Sequence, residues 1–372
     1  MNALESAVRH RHAAIIPALL AVALIAVGCS TAAATPSGKS SVAGSTSGAS
    51  SGASTAATPD PVALRLGYLP NLTHAPAIIG LEGGYFASAL GAGSSVKPTT
   101  FNAGPDAVTA LLSGALDAAF VGPNPAINAF SKSNGSVKVI AGVASGGASL
   151  VVKSSIKTAA DLKGAKLADP QLGGTQDVAV RTWLAKQGYA TDVNGGGDVH
   201  VLPQANSQTL ETFKAGQIDG AWVPEPWATQ LVQAGGKVLV DERSLWPNNQ
   251  FATTVLIVRT DFLAAHPAAV SGLLSGLVDA EDLIASDPTK AQQLTNQGLT
   301  KVAGKPIPDA VLTGAWSNLT FTVDPLLASL QTSEDHAVAL GFVKTTDLKA
   351  IADLGPLNEI LRSKNRTPIA AP

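Results

Sequence analysis

The chain has 372 residues, 45% of them hydrophobic, enough for about two domains with a core each. Its formal net charge is −2, so it lacks the excess of Lys and Arg that a nucleic acid or a membrane-surface partner would call for. One cysteine in the whole chain excludes an internal disulfide.

The first segment reads as an export signal. Arg9, His10, Arg11 and His12 precede an apolar run over residues 13–28, which Pro17 interrupts and which is short of the ~20 residues of a membrane span. The run ends in Ala26-Val27-Gly28-Cys29, which resembles the lipobox of bacterial lipoproteins, with Ala26 where that motif usually carries Leu. Residues 1–28 are accordingly expected to be a lipoprotein signal peptide, and Cys29 the lipidated first residue of the mature chain. An ordinary signal peptide, or a lone anchor helix with an incidental cysteine, is the alternative. Residues 30–59 are Ser, Thr, Ala, Gly and Pro apart from Val42 and Lys39, the latter their only charge, a composition that cannot bury a core. Residues 29–60 are expected to form a disordered tether spanning ~30 Å. The body would then sit on the outer face of the cytoplasmic membrane.

From residue 62 onward strand and helix patterns alternate. Strands are expected over 62–68, 97–101, 117–121, 137–143 and 149–153, with helices after Thr73 and over 105–113. A second series follows: strands over 166–168 and 199–202, a helix from Thr175 to near Gly188, then strands over 238–240 and 254–258. The remainder reads as helices over 267–284, 288–298, 308–318 and 325–340. This alternation implies an α/β fold with mainly parallel strands. Residues 61–150 with 256–372 would form one lobe and residues 151–255 the other, the chain crossing near 149–152 and 251–255.

One unit occurs twice. Ala115-Leu116-Asp117-Ala118-Ala119-Phe120-Val121-Gly122-Pro123-Asn124-Pro125 is echoed by Gln217-Ile218-Asp219-Gly220-Ala221-Trp222-Val223-Pro224-Glu225-Pro226-Trp227, and the same offset pairs Ala103 with Ala205 and Gly114 with Gly216. Each copy reads as a helix, a Gly that stops it, a buried strand and a Pro-x-Pro turn. Two lobes of like design offering turns to a shared cleft follow from this repeat.

Catalytic signals are poor. The only Gly-x-Ser-x-Gly match lies in the tether, there is no phosphate loop or dinucleotide fingerprint, and the six His show no ligand spacing. No metal and no cofactor are expected, and the chain is not expected to be an enzyme. The informative positions are loops that feed helix starts, where unpaired N–H groups bind an anion without a cation. Four such sites are expected at a cleft: Asn71 to His74 with Thr73, Asn102 to Gly104, Gly122 to Asn124, and Gly174 with Thr175 and Gln176. Thr73 and Thr175 have a plainer role open to them as helix caps, Asn124 as a turn former, and His74 as a local structural partner. Trp227 and Phe251 are candidates for an apolar slot, while Trp183 and Trp222 suit a core. Glu225 is unexpected in an anion site; it would cap a helix, face solvent or meet an amine on the ligand.

These residues also carry a resemblance. Gly67-Tyr68-Leu69-Pro70 with Thr73-His74-Ala75-Pro76-Ala77, Gly83-Gly84-Tyr85-Phe86, and Ala160-Asp161-Leu162-Lys163-Gly164 resemble the solute-binding proteins of bacterial ABC importers, in the nitrate/sulfonate/taurine group. Asp169-Pro170-Gln171-Leu172-Gly173-Gly174-Thr175-Gln176-Asp177 and Gly220-Ala221-Trp222-Val223-Pro224-Glu225-Pro226-Trp227 look most like the aliphatic-sulfonate binders. The resemblance implies a two-lobed periplasmic-binding-protein-like fold (type II) with a two-strand hinge, a small anionic solute as ligand, and ABC permease subunits as partners. It implies a monomer held to the membrane by its lipid. The oxyanion would sit among the Asn71–His74 loop, Asn102–Gly104, Asn124 and Thr175–Gln176, with Trp227 and Phe251 toward an organic tail. Nitrate, bicarbonate, taurine and thiamine-precursor binders share this scaffold, and an enzyme on the same fold is the remote alternative.

Overall fold

The structure, a computed structural model, describes residues 61–370. The expected signal peptide, Cys29 and the tether lie outside the described residues.

The first part of the chain runs β1 (Ala63–Tyr68), α1 (Ala75–Glu82), α2 (Tyr85–Leu90), β2 (Ser95–Thr100), α3 (Gly104–Leu112), β3 (Ala118–Val121), α4 (Pro123–Lys132) and β4 (Val137–Gly146). A second series follows: β5 (Ala148–Lys153), β6 (Lys166–Asp169), α5 (Thr175–Lys186), β7 (His200–Pro203), α6 (Asn206–Lys214), β8 (Gly220–Pro224), α7 (Trp227–Gln233) and β9 (Gly236–Asp241). The chain then continues through β10 (Ala252–Arg259), α8 (Thr260–Ala265), α9 (Pro267–Ser286), α10 (Pro288–Ala303) and α11 (Asp309–Trp316). It ends with β11 (Leu319–Phe321), α12 (Leu327–Ala339) and α13 (Gly355–Ser363).

Two sheets result, in the orders β11-β4-β10-β3-β1-β2 and β7-β6-β8-β5-β9. Parallel ladders hold β2-β1-β3 and β7-β6-β8, and antiparallel ladders bring in the strands that arrive from the opposite lobe, β10 and β5. The two sheets therefore share one plan: three parallel strands in the order 2-1-3, then an inserted strand, then the strand on its far side. The doubled sequence unit falls at the same place in each, α3–Gly114–β3 matching α6–Gly216–β8. Both glycines sit at positive φ, 78° and 71°, a backbone state that ends a helix at little cost only in a residue without Cβ.

β5 belongs wholly to the five-stranded sheet and β10 wholly to the six-stranded one. The chain thus passes between lobes at Gly147 and again through residues 242–251, a few residues before the positions expected from the strand patterns. Gly147 has φ 69°, and a Cβ there would lie 2.2 Å from Leu319 Cδ2, so the outward passage needs glycine on both counts. The return passage consists of two short 3-10 turns, Glu242–Leu245 and Pro247–Asn249.

The first Pro-x-Pro is not a turn. Pro123 begins α4, since the first helical turn tolerates a residue without N–H and with φ near −65°. In the second copy Pro226 caps α7, and the Glu225–Pro226 bond is cis. Tertiary packing likewise extends α10 to Ala303 beyond its expected end at 298, because Thr295 and Leu299 are buried against α1 and the core.

Each sheet has its own core. In the larger lobe Phe86 and Phe120 stack with ring centroids 6.3 Å apart beneath α9, while in the smaller lobe Trp222 is fully buried against Trp183 at 6.1 Å. An aromatic side chain of this size, once buried, contributes ~3–5 kcal/mol against truncation to Ala. These two tryptophans are core residues.

Candidate ligand-binding site

Five helix starts face one another across the lobes. The 3-10 turn Leu72–His74 leading into α1, the start of α3, and the start of α4 come from the larger lobe; the starts of α5 and α6 come from the smaller. They enclose a cavity of about 30 Å³ lined by Asn71, Thr73, His74, Asn102, Gly104 and Gly122 on one side and by Gln171, Gly174, Thr175, Gln176 and Asn206 on the other. That volume holds a few water-sized groups, and so suits a compact polar head. Among the described residues no Lys or Arg lines it.

Donors are supplied by backbone and neutral side chains. At α5 the first intrahelical bond is from Val178 N–H to the Gly174 carbonyl, which leaves the N–H groups of Thr175, Gln176 and Asp177 outside the helical ladder. Asp177 is the acid of that first turn; its Oδ2 accepts from Gly173 N at 2.8 Å and fixes the glycine loop. Thr175 Oγ1, Asn206 Oδ1 and Gln171 Oε1 are buried and have no hydrogen-bond partner among the described residues, although unpaired buried polar atoms are uncommon. His74 is 2% exposed, and burial drives its pKa down to about 3. Its Nδ1 faces the Leu69 N–H at 3.4 Å, which assigns the remaining proton to Nε2 and makes the ring a neutral donor.

The α4 start contributes differently. Pro123 and Pro125 carry no N–H, so only Asn124 offers a free backbone donor there, and the Asn124 side chain donates to the Ser333 carbonyl at 3.0 Å rather than toward the cavity. What this turn presents is Gly122, a bare backbone.

Glu225, though 2% exposed, does not line the cavity. Its carboxylate accepts from Thr229 N and Oγ1 at 3.1 and 3.0 Å, which caps α7, and from Asn318 Nδ2 at 2.7 Å across the lobes. Burial raises its pKa against the hydrogen bonds that favour the charged form. Its carbonyl accepts from Leu72 N at 3.0 Å. Together with the bond from Trp227 Nε1 to Asn71 Oδ1 at 2.9 Å and from Gln171 Nε2 to Asp106 Oδ1 at 2.9 Å, these contacts hold the lobes closed.

Trp227 and Phe251 separate. Trp227 lines an outer groove of about 730 Å³, together with Leu210, Leu299, Val302, Ile307 and Val311. Asn71, Asn102 and Asn206 line both the groove and the inner cavity, so the two spaces adjoin at three asparagines. Phe251 instead is fully buried and stacks on Trp246 at 5.2 Å in the return passage, away from both spaces. Asn206 and Gln171 line the cavity and are not among the site residues expected from the sequence; for Asn206 a signal was there. The repeat held the signal: pairing Ala103 with Ala205 puts Asn206 opposite Gly104, at the start of the matching helix.

The family model described as NMT1-like matches residues 57–297, some two thirds of the chain. The chain belongs to the NMT1-like family. It is a member of the solute-binding group associated with ABC import. A binding protein of Brucella abortus is 29% identical over 245 residues, covering 64% of this chain and 72% of that one. The taurine-binding periplasmic protein of Escherichia coli is 29% identical over 200 residues, 53% of this chain and 59% of that one. Among solved structures, the alkanesulfonate-binding protein of Xanthomonas axonopodis pv. citri bound to MOPS superposes with a TM-score of 0.64 at 20% identity, covering 77% of this chain and 96% of that one. The last likeness is one of fold, and it agrees with the two sheets and the paired passages described above. Among the described residues no helix is long and apolar enough to cross a membrane, and no three His, Cys, Asp or Glu gather in a way that would hold a metal.

Proposed function

We propose that this NMT1-like protein is the extracytoplasmic solute-binding lipoprotein of an ABC importer, which captures an aliphatic sulfonate and delivers it to the membrane permease. The observation that carries the ligand class is the pairing of two spaces. A small cavity ringed by neutral donors and free of cations suits an oxyanion head, and a larger, partly apolar groove adjoins it at Asn71, Asn102 and Asn206. Charge-assisted hydrogen bonds are worth ~1.5–3 kcal/mol each, so four or five, less ordering costs, reach the ~8 kcal/mol of a micromolar ligand. An inorganic anion would use the cavity and leave the groove without a role. With the Glu225 carboxylate already held by Thr229 and Asn318, an amine on the ligand is not required. The expected tether from Cys29 would keep a monomeric body near its permease.

Titration calorimetry with butanesulfonate, methanesulfonate, taurine, nitrate and bicarbonate tests this reading. Butanesulfonate is expected to bind more tightly than nitrate or bicarbonate, with an affinity that holds from pH 5 to 8 because His74 stays neutral throughout that range. Tight binding of nitrate or bicarbonate with no heat from any sulfonate would overturn it. Thr175→Ala should weaken sulfonate binding by roughly 10- to 100-fold through loss of one charge-assisted bond, whereas Thr345→Ala on the exposed surface should leave it unchanged. Equal effects at the two positions would remove the role assigned to the α5 start.

A further inference from the structure

Gly122 lies at the start of α4 in the larger lobe with φ −73° and ψ 166°, ordinary extended backbone that any residue adopts. Its own conformation therefore does not ask for glycine. A Cβ built there would lie 2.1 Å from Thr175 Oγ1 and 3.2 Å from Thr175 Cβ, both in the opposite lobe. Within its own lobe the Cβ would stand 3.5 Å from the Thr253 carbonyl oxygen, an ordinary contact. Turning the Thr175 hydroxyl aside still leaves Thr175 Cβ at 3.2 Å, a contact that eases only if the two helix starts part by a few tenths of an ångström, and a β-branched side chain in a helix has few rotamers to offer. Gly104, at another of the helix starts, behaves otherwise: its Cβ would meet Pro125 Cγ at 2.4 Å inside the same lobe, so that glycine serves folding.

We infer that Gly122 is the residue that permits lobe closure: the missing side chain is the clearance that lets the α5 start, with its Thr175 hydroxyl, come against the α4 start and complete the donor ring. This deepens the proposed function, since it concerns how the same site assembles, and it holds for any solute the cleft takes. Gly122→Ala leaves each lobe able to fold and disfavours only the closed arrangement.

The test reads closure without a ligand. In a Cys29→Ser background, Asp106→Cys and Gln171→Cys place thiols at the one side-chain pair that meets from α3 and the β6–α5 loop at 2.9 Å in the closed form. A short bis-methanethiosulfonate reagent then bridges them only when the lobes close. Adding Gly122→Ala should slow bridging at least 10-fold while the melting temperature of the unbridged protein stays within 2 °C or so of its parent, as expected for a change that leaves the folded lobes intact. Adding Thr175→Gly to that variant, which removes the atoms in the way, should restore the bridging rate. Equal bridging rates with Ala and Gly at position 122 overturn the inference, as does a slowed rate that Thr175→Gly fails to restore. A second arm measures taurine and butanesulfonate binding. If neither binds the protein that keeps Asp106 and Gln171, the sulfonate reading fails and the bridging result still decides the role of Gly122.

Discussion

Arg181→Met is expected to destabilise the protein by about 3–5 kcal/mol, the cost of breaking a buried ion pair by removing one partner. Arg181 is 2% exposed and its partner Asp177 is fully buried; Arg181 Nε donates to Asp177 Oδ1 at 2.6 Å and its Nη1 donates to the Asp192 carbonyl at 2.7 Å. A third buried group, Asp169, stands beside them. Burial, with the neighbouring Asp177 charge adding to it, pushes the Asp169 carboxyl well above the usual carboxylate range, while the Arg181 charge pulls it down. Met fills the space of the Arg stem but leaves Asp177 charged, buried and without its cation. The loss should be larger at pH 8 than at pH 5. Without the arginine, whose charge opposes the rise at Asp169, that carboxyl holds its proton still more tightly in the folded state than in the unfolded one, so stability falls as pH rises. Urea unfolding followed by the fluorescence of Trp183 and Trp222 measures it, with the exposed Arg362→Met as a control expected to fall within ~0.5 kcal/mol of the parent. A loss below about 1 kcal/mol would mean that the pair does not hold the lobe together.

This triad also governs the site. Asp177 fixes Gly173 through its second oxygen, and Thr175 begins α5 two residues later, so a loosened Asp177 would move the very N–H groups that ring the cavity. Stability of the smaller lobe and geometry of the anion cradle are thus coupled through one carboxylate.

Much of this was legible in the sequence, because both its signals are local. Hydrophobic runs bounded by Gly and Pro located the strands, and the doubled unit around Asp117 and Asp219 declared two lobes of one plan. Helix starts rich in Gly, Thr and Asn declared the cavity: Asn71, Thr73, His74, Asn102, Gly104, Gly174, Thr175 and Gln176 all line it. What the sequence could not show is where a side chain turns once the lobes meet. Asn124 and Glu225 stand between the two prolines of each copy of the repeat, and nothing local distinguishes a side chain aimed at the cavity from one drawn away by Ser333 or by Asn318, more than ninety residues distant in the chain. Phe251 was misplaced for the same reason, since its partner Trp246 belongs to a connection that has no periodic pattern to read. The reach of α4 was hidden by its two prolines, which signal a turn in sequence but are tolerated in a first helical turn.

The return passage carries a titration that a pH series should expose. Glu242, at its start, is buried, and burial raises its carboxyl to about 7; bonds from the indole N–H groups of Trp222, at 2.7 Å, and of Trp246 pull the other way without offsetting it. The unfolded chain releases this proton near 4.5 while the folded chain keeps it to about 7. Between those values the folded state binds more protons, so the contribution to stability is full below pH 4.5, declines as pH rises, and is lost above about 7. At ~1.4 kcal/mol per pKa unit the decline amounts to roughly 3 kcal/mol. Glu242→Gln keeps an oxygen for the Trp222 N–H and removes the ionisation. The difference in unfolding free energy between variant and parent should therefore shift by roughly 3 kcal/mol in the variant's favour from pH 4.5 to pH 8, with most of the change between 5 and 7. A constant difference across that range would show that Glu242 ionises in the folded protein as it does in water. Because Trp222 is the centre of the smaller lobe's core and Trp246 packs on Phe251 at the edge of the larger, the charge would appear at the point where the passage is pinned to both lobes. Alkaline conditions should accordingly loosen the passage before either core.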